Sequence, residues 1–154
     1  MVLMAERARQ LILDGKDLDD ITVALRSYNT QLMFVLQSMK NLANNGRVGK
    51  LTATAAGLLG IRAIGRASDR GTLEMLSTAR GADKATDATF EHMKELGYAG
   101  GRVRIDHCQN VTAAEALCAK IKESFPTASV TIAECRGLCS FYAERGGLLI
   151  GFES

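Results

Sequence analysis

The sequence predicts an α/β fold, a mixed β-sheet packed with helices. Three observations lead there. Apolar residues recur at helical spacing in some stretches and alternate at strand spacing in others, and the two kinds are interleaved along the chain. Of 154 residues, 47% are hydrophobic but only 5% aromatic, with one proline and no tryptophan, so an aliphatic core is expected. The C-terminal part reads helix, strand, helix, strand, which is the order of a sheet covered by helices.

The elements follow in order. Val2, Leu3, Ala5, Ala8, Leu11 and Ile12 make a helical stripe over 2–13, closed by Gly15 as a left-handed cap. This helix starts with no capping residue and no lead-in. Asp17 caps a second helix, with Asp19 and Asp20 favourable to its dipole. Leu18, Ile21, Leu25 and Tyr28 lie on one face of it. Leu32 to Leu36 reads as a buried strand, and Met39 to Ala43 as a short helix stopped by Asn44-Asn45-Gly46. Leu51 to Leu59 is a helix of small residues. Ile61 to Ala67 and Thr72 to Thr78 flank Ser68-Asp69-Arg70-Gly71 and make a hairpin. Ala82 to Leu96 is a helix with Ala85, Thr89, Met93 and Leu96 on its inner stripe. Arg102 to His107 alternates as a strand. Thr112 and Glu115 form a capping box for a helix carrying Ala114, Leu117, Cys118, Ile121 and Phe125, which Pro126 ends. Ser129 to Glu134 is a strand, Gly137 to Glu144 a short helical or loop segment, and Gly147 to Phe152 a final strand.

Composition excludes several classes. The hydrophobic fraction is too high and the net charge of +2 too small for a disordered chain. Four cysteines in this length do not make a disulfide scaffold. No apolar run is long enough to span a membrane, and Glu6, Arg7 and Arg9 interrupt any signal peptide at the start. Reduced thiols without a leader fit the cytoplasm. The overall charge lacks the basic excess of a nucleic-acid binder. Between Asn44 and Arg70, however, Arg47, Lys50, Arg62, Arg66 and Arg70 stand against Asp69 alone. That local surplus suits either a solvated surface or an acidic partner.

Few constellations carry chemistry. Cys108, Cys118, Cys135 and Cys139 show no C-x-x-C pair, and His92 and His107 have no metal spacing, so no metal and no cofactor are implied. Cys135 and Cys139 share a face if helical. No G-x-S-x-G elbow is present. Asp106-His107 sits at a strand end, where a histidine satisfied by backbone is the plainer reading. The Gly-framed stretch Arg136 to Gly147 holds Leu138, Phe141 and Tyr142. It suits strand packing, or the mouth of an apolar pocket with Tyr142 as a polar handle.

At these residues the chain resembles the DegV family of bacterial fatty-acid-binding proteins. The resemblance rests on Leu42 with Gly46-Arg47 and Lys50, the small-residue stretch Thr52 to Leu59, Gly60-Ile61-Arg62-Ala63, then Arg80-Gly81 and Lys84-Ala85 after the hairpin. It continues through the strand near His107, Phe125-Pro126 and Val130 to Glu134. The resemblance implies a DegV-like C-terminal α/β domain at 30–154. Residues 1–29 are then a helical segment continuing from a missing N-terminal domain, and the exposed face left behind favours self-association.

The same resemblance implies a non-enzymatic domain that binds a long-chain fatty acid and presents it to a fatty acid kinase. Ligand-binding residues are then Tyr142, Leu138, Phe141 and Ile61, with Tyr142 where the family carries a histidine. Glu144, two residues on, would repel an anionic head group. Arg47, Lys50 and Arg62 become candidates for docking the partner. An acyl chain gains roughly 0.8 kcal/mol for each methylene buried. Met4, Met33, Met39, Met75 and Met93 would make an aliphatic slot adaptable. The alternatives are a thiol-dependent redox or transferase domain using Cys135 and Cys139, and a docking module without a ligand of its own.

Overall fold

The structure is a computed structural model, and it describes residues 1–46 and 60–154. The helix expected at Leu51 to Leu59, and with it Arg47 and Lys50, lies outside the described residues.

The elements are α1 (Val2–Leu13), α2 (Leu18–Arg26), β1 (Thr30–Leu36), α3 (Lys40–Asn44), β2 (Ile61–Ala67), β3 (Leu73–Arg80), α4 (Ala82–Glu95), β4 (Arg102–His107), α5 (Val111–Ser124), β5 (Ser129–Glu134), α6 (Gly137–Ala143) and β6 (Leu148–Glu153). The described strands form one mixed sheet in the order β3-β2-β1-β6-β4-β5. Only β4 and β5 pair in parallel; α5 supplies the crossover that parallel strands need. The last strand, β6, is central. Its Ile150 stands opposite Met33 of β1 on one side and Ile105 of β4 on the other.

Strand pleating sorts side chains onto two faces. Met33, Val35, Ile64, Ile105, Ile150 and Phe152 point to one face and pack against α4 and α5. Those helices answer with Phe90 and Met93, and with Leu117 and Ile121. Phe34, Leu36 and Ala63 point to the other face, where Met39, Leu42 and Ala143 from α3 and α6 meet them. Residues 2–13 lie along this second face further down, with Leu3 beside Gly151.

The expectation of an aliphatic core needs amending. Tyr98 stacks edge-to-face on Phe125 at 5.2 Å and on Phe152 at 5.7 Å, and Phe90 meets Phe125 at 6.3 Å. Half of the chain's few aromatics therefore close one end of the α4–α5 layer. Each such pair adds about 0.5–1.5 kcal/mol beyond its buried area. Gly100, at φ +104, lies under the Phe125 ring, so a side chain there would displace that ring.

A bulge in the β2–β3 hairpin falls between Ile64 and Gly65, which pair with Ser77 and Met75. Leu76 is the extra residue, so Leu76 and Ser77 both turn toward α4. Leu76 enters the core, while Ser77 Oγ reaches His92 Nε2 at 2.9 Å. His92 Nδ1 meets Glu95 at 2.7 Å. This chain of contacts fastens the sheet edge to α4, and nothing in the sequence reading pointed to it.

Two capping expectations part ways. Gly15 ends α1 at φ +73, with Lys16 N–H donating to Leu11 O and Gly15 N–H to Ile12 O. Asp17 accepts from Asp20 N–H at 2.8 Å, as the sequence predicts. The Thr112–Glu115 capping box does not form. The helix starts two residues earlier, at Val111 with Asn110 as its N-cap, which places Thr112 inside the first turn. Its N-cap, Asn110, sends its side-chain amide to Gly146 O at 2.7 Å instead.

Candidate functional site

Among the described residues the second face of the sheet is the less completely covered one, and α6 lies on it with α3. Arg136 enters in extended conformation, and Gly137 turns the chain at φ +50, a value that favours glycine. The helix that follows buries only Ala143. Leu138 is 68% exposed and Phe141 46% exposed. Tyr142 is half-buried and packs on the Phe34–Leu36–Met39–Leu42 cluster. Its ring stands edge-to-face to Phe141 at 5.1 Å. The three sequence-predicted residues of this stretch thus sit on one short helix, as a lip of apolar surface over a buried cluster.

Hydrogen bonds hold this helix to α3. Asn41 donates its side-chain amide to Phe141 O at 2.8 Å, and its backbone N–H to Glu144 Oε1 at 2.8 Å. The Glu144 carboxylate is therefore spent on the first turn of α3, where an acidic group is favourable. Glu144 itself adopts φ +53 and ψ 172, a conformation rare outside glycine that costs on the order of 1–3 kcal/mol. The anchoring hydrogen bonds hold it there.

Ile61 and Arg62 do not act together. Neighbours on a strand point to opposite faces. Ile61 shares the face of Ala63 and the α6 surface, whereas Arg62 shares that of Ile64. Arg62 lines a narrow cleft between α4 and α5, with Val35, Ala85, Thr86, Asn110 and Gly146. The sequence showed no sign of this cleft, since its walls come from five separate elements.

The methionines divide similarly. Met33 and Met93 are buried in the α4–α5 layer, while Met39 and Met75 pack in the second cluster. Only the latter pair adjoins the α6 surface.

The remaining polar candidates are structural. His107 is 6% exposed, and its Nδ1 accepts from Asn110 N–H at 3.3 Å. That assigns the ring proton to Nε2. Asp106 accepts from Arg104 Nε at 2.8 Å rather than from its neighbour. Cys108, Cys135 and Cys139 lie near one another where β4, β5 and α6 meet. Burial, reinforced by the Asp106 carboxylate, pushes the Cys135 thiol up to about 12. A thiolate nucleophile needs the opposite shift, so the thiol-transfer alternative gains nothing from Cys135. Among the described residues no group of His, Cys, Asp or Glu could hold a metal ion, and no helix is long and apolar enough to cross a membrane.

The chain matches, over residues 1–154, the family profile described as "Uncharacterised protein, DegV family". A DegV domain-containing protein of Streptococcus pneumoniae is 43% identical over 153 residues, covering 98% of this chain and 54% of that protein. The fold superimposes with TM-score 0.93 on a DegV family protein from Eubacterium eligens loaded with heptadecanoic acid, at 40% identity over 99% of this chain and 56% of that one. It also superimposes with TM-score 0.93 on the Streptococcus pneumoniae Fatty Acid Kinase (Fak) B3 protein loaded with linoleic acid, at 43% identity. That match covers 98% of this chain and 54% of the other. The chain thus spans about half the length of the relatives it matches.

Proposed function

The chain belongs to the DegV family, and from that premise we propose that it is the lipid-binding α/β half of a fatty-acid carrier. One observation carries the reading. Two proteins at least 40% identical to this chain, aligned over nearly all of it, hold a seventeen-carbon acid and linoleic acid in their structures. The lip formed by Leu138, Phe141 and Tyr142 over an apolar cluster suits an acyl chain physically, because it offers exposed apolar area. The carrier does no chemistry itself. It hands a cytoplasmic fatty acid to a kinase, a partner supported by the name of the pneumococcal relative.

Residues 1–29 link this domain, 30–154, to a further N-terminal domain. The length of the relatives supports this, as does α2, which buries no residue and leaves Leu18 76% and Val23 67% exposed. The same apolar face would drive self-association of the isolated half. The basic residue Arg62, with Arg47 and Lys50, contributes to the kinase surface.

Native mass spectrometry of the purified chain, with titration of a fluorescent long-chain acid, tests the carrier reading. A co-purified acid, or saturable binding below the micelle range, is the expected result. No binding by this chain, and none when it is joined to the rest of a relative's length, overturns it. Binding only in the joined form makes this half a docking module.

A further inference from the structure

We propose that Cys108 and Cys139 are a hydroperoxide-driven disulfide site that fastens α6 to the end of β4. Cys139 lies on α6 and is exposed, so an oxidant meets it first. The backbone of Cys108 is pinned on both sides: its N–H donates to Gly147 O at 2.9 Å, and its carbonyl accepts from Gly146 N–H at 2.8 Å. Its sulfur consequently faces α6, with Sγ 3.8 Å from the carbonyl of Ser140, the residue following Cys139. Cys139 stands four residues before the buried Ala143, and so on the same side of the helix.

Cys135 is the bystander, although it is the third sulfur of the group. Its N–H donates to His107 O at 2.8 Å, which places it beside Cys108 on the neighbouring strand. Burial holds its thiol protonated, with a pKa raised to about 12, so it is a poor attacking group.

The chemistry balances with a hydroperoxide as oxidant. The Cys139 thiolate attacks the outer oxygen of the hydroperoxide, the O–O bond breaks, and the departing oxygen leaves as water or an alcohol. Cys139 becomes a sulfenic acid. The Cys108 sulfur then attacks it, the S–O bond breaks, and water leaves with the Cys108 proton. Two thiols have lost two electrons, and the hydroperoxide has gained them. The consequence for α6 rests on the carrier reading above: the bond clamps the helix that bears Leu138, Phe141 and Tyr142, and slows release of a bound acid.

The test treats the purified chain with hydrogen peroxide, blocks residual thiols by alkylation and maps the peptides. The expected result is a fall from four free thiols to two, with a Cys108–Cys139 cross-linked peptide. Cys135→Ser leaves that cross-link intact, while Cys108→Ser and Cys139→Ser each abolish it. A cross-link through Cys135, a cross-link between chains, or overoxidation of Cys139 with no cross-link overturns the proposal. Release of a fluorescent fatty acid is then timed before and after oxidation. Slower release from oxidised wild type, and not from Cys108→Ser, supports the clamp, and equal rates overturn it. The peptide map stands whether or not the chain binds lipid, so the two readings fail separately.

Discussion

The two faces of the sheet are built differently. On one, the two long helices α4 and α5 cover the strands so fully that Ile64, Ile105, Ile150 and Phe152 of the sheet, and Met93 and Ile121 of the helices, expose no surface. On the other, short helices and α1 cover a smaller cluster, and Leu32, Leu138 and Phe141 stay exposed. The first face has its apolar area already buried by its own chain. The second retains apolar area with nothing of the described structure over it. Stability is concentrated in the first face, and the binding proposed above draws on the second.

The largest expected effect tests the first half of that statement. Ile150→Ala opens a cavity where three central strands meet, and is expected to cost about 2–5 kcal/mol. Leu138→Ala on the second face is expected to stay within about 0.5 kcal/mol. Urea unfolding of both variants checks the contrast, and equal losses would erase the distinction between the faces.

Gly65→Ala is expected to be intermediate. Gly65 sits opposite Phe34, and an added Cβ would collide with the Phe34 ring and the Glu74 carbonyl. Overpacking of this kind costs typically about 1–3 kcal/mol. The bulge next to it limits how far β3 can retreat. A thermal midpoint unchanged from wild type would show that the second face repacks freely.

Phe141→Asp sharpens the binding half. The side chain is exposed, so folding should change little, while a charge on the lip should weaken fatty-acid binding by about tenfold, equivalent to about 1.4 kcal/mol. Fluorescent-lipid titration measures it. Unchanged affinity would move the binding surface away from α6.

How far each face could be read from sequence follows from the same difference. The stripe Ala85, Thr89 and Met93 in α4 and the alternation of Val103 and Ile105 in β4 are periodic, and period is what reveals a packed face. Leu138, Phe141 and Tyr142 were visible as unusual residues, but a seven-residue helix holds too few turns to declare which side it buries. The cleft at Arg62 was invisible because its walls come together only through the sheet order. The failed capping box at Thr112 has a comparable cause. Asn110 is held by the turn at Gly146, a partner 36 residues away, and that contact decides where the helix begins.

The smallest effect concerns alkaline pH, and it draws on both faces. Burial and the Glu153 carboxylate, which accepts the Tyr28 hydroxyl at 2.6 Å, raise Tyr28 from 10.0 to about 12. Burial and Glu153 likewise raise Tyr98, in the α4–α5 layer, from 10.0 to about 12. Cys135, in the second cluster, rises from 9.0 to about 12. Each group keeps its proton in the fold at a pH where the unfolded chain releases it. The folded state then binds more protons, so stability falls as pH rises. The contribution is whole below about pH 9, begins to fade there for Cys135 and near 10 for the tyrosines, and is gone by about 12. Urea midpoints between these limits should decline, with Cys135→Ser removing the earliest part and Tyr28→Phe a later part. A decline of the same onset in Cys135→Ser would assign the early loss to some other group and separate the second cluster from it.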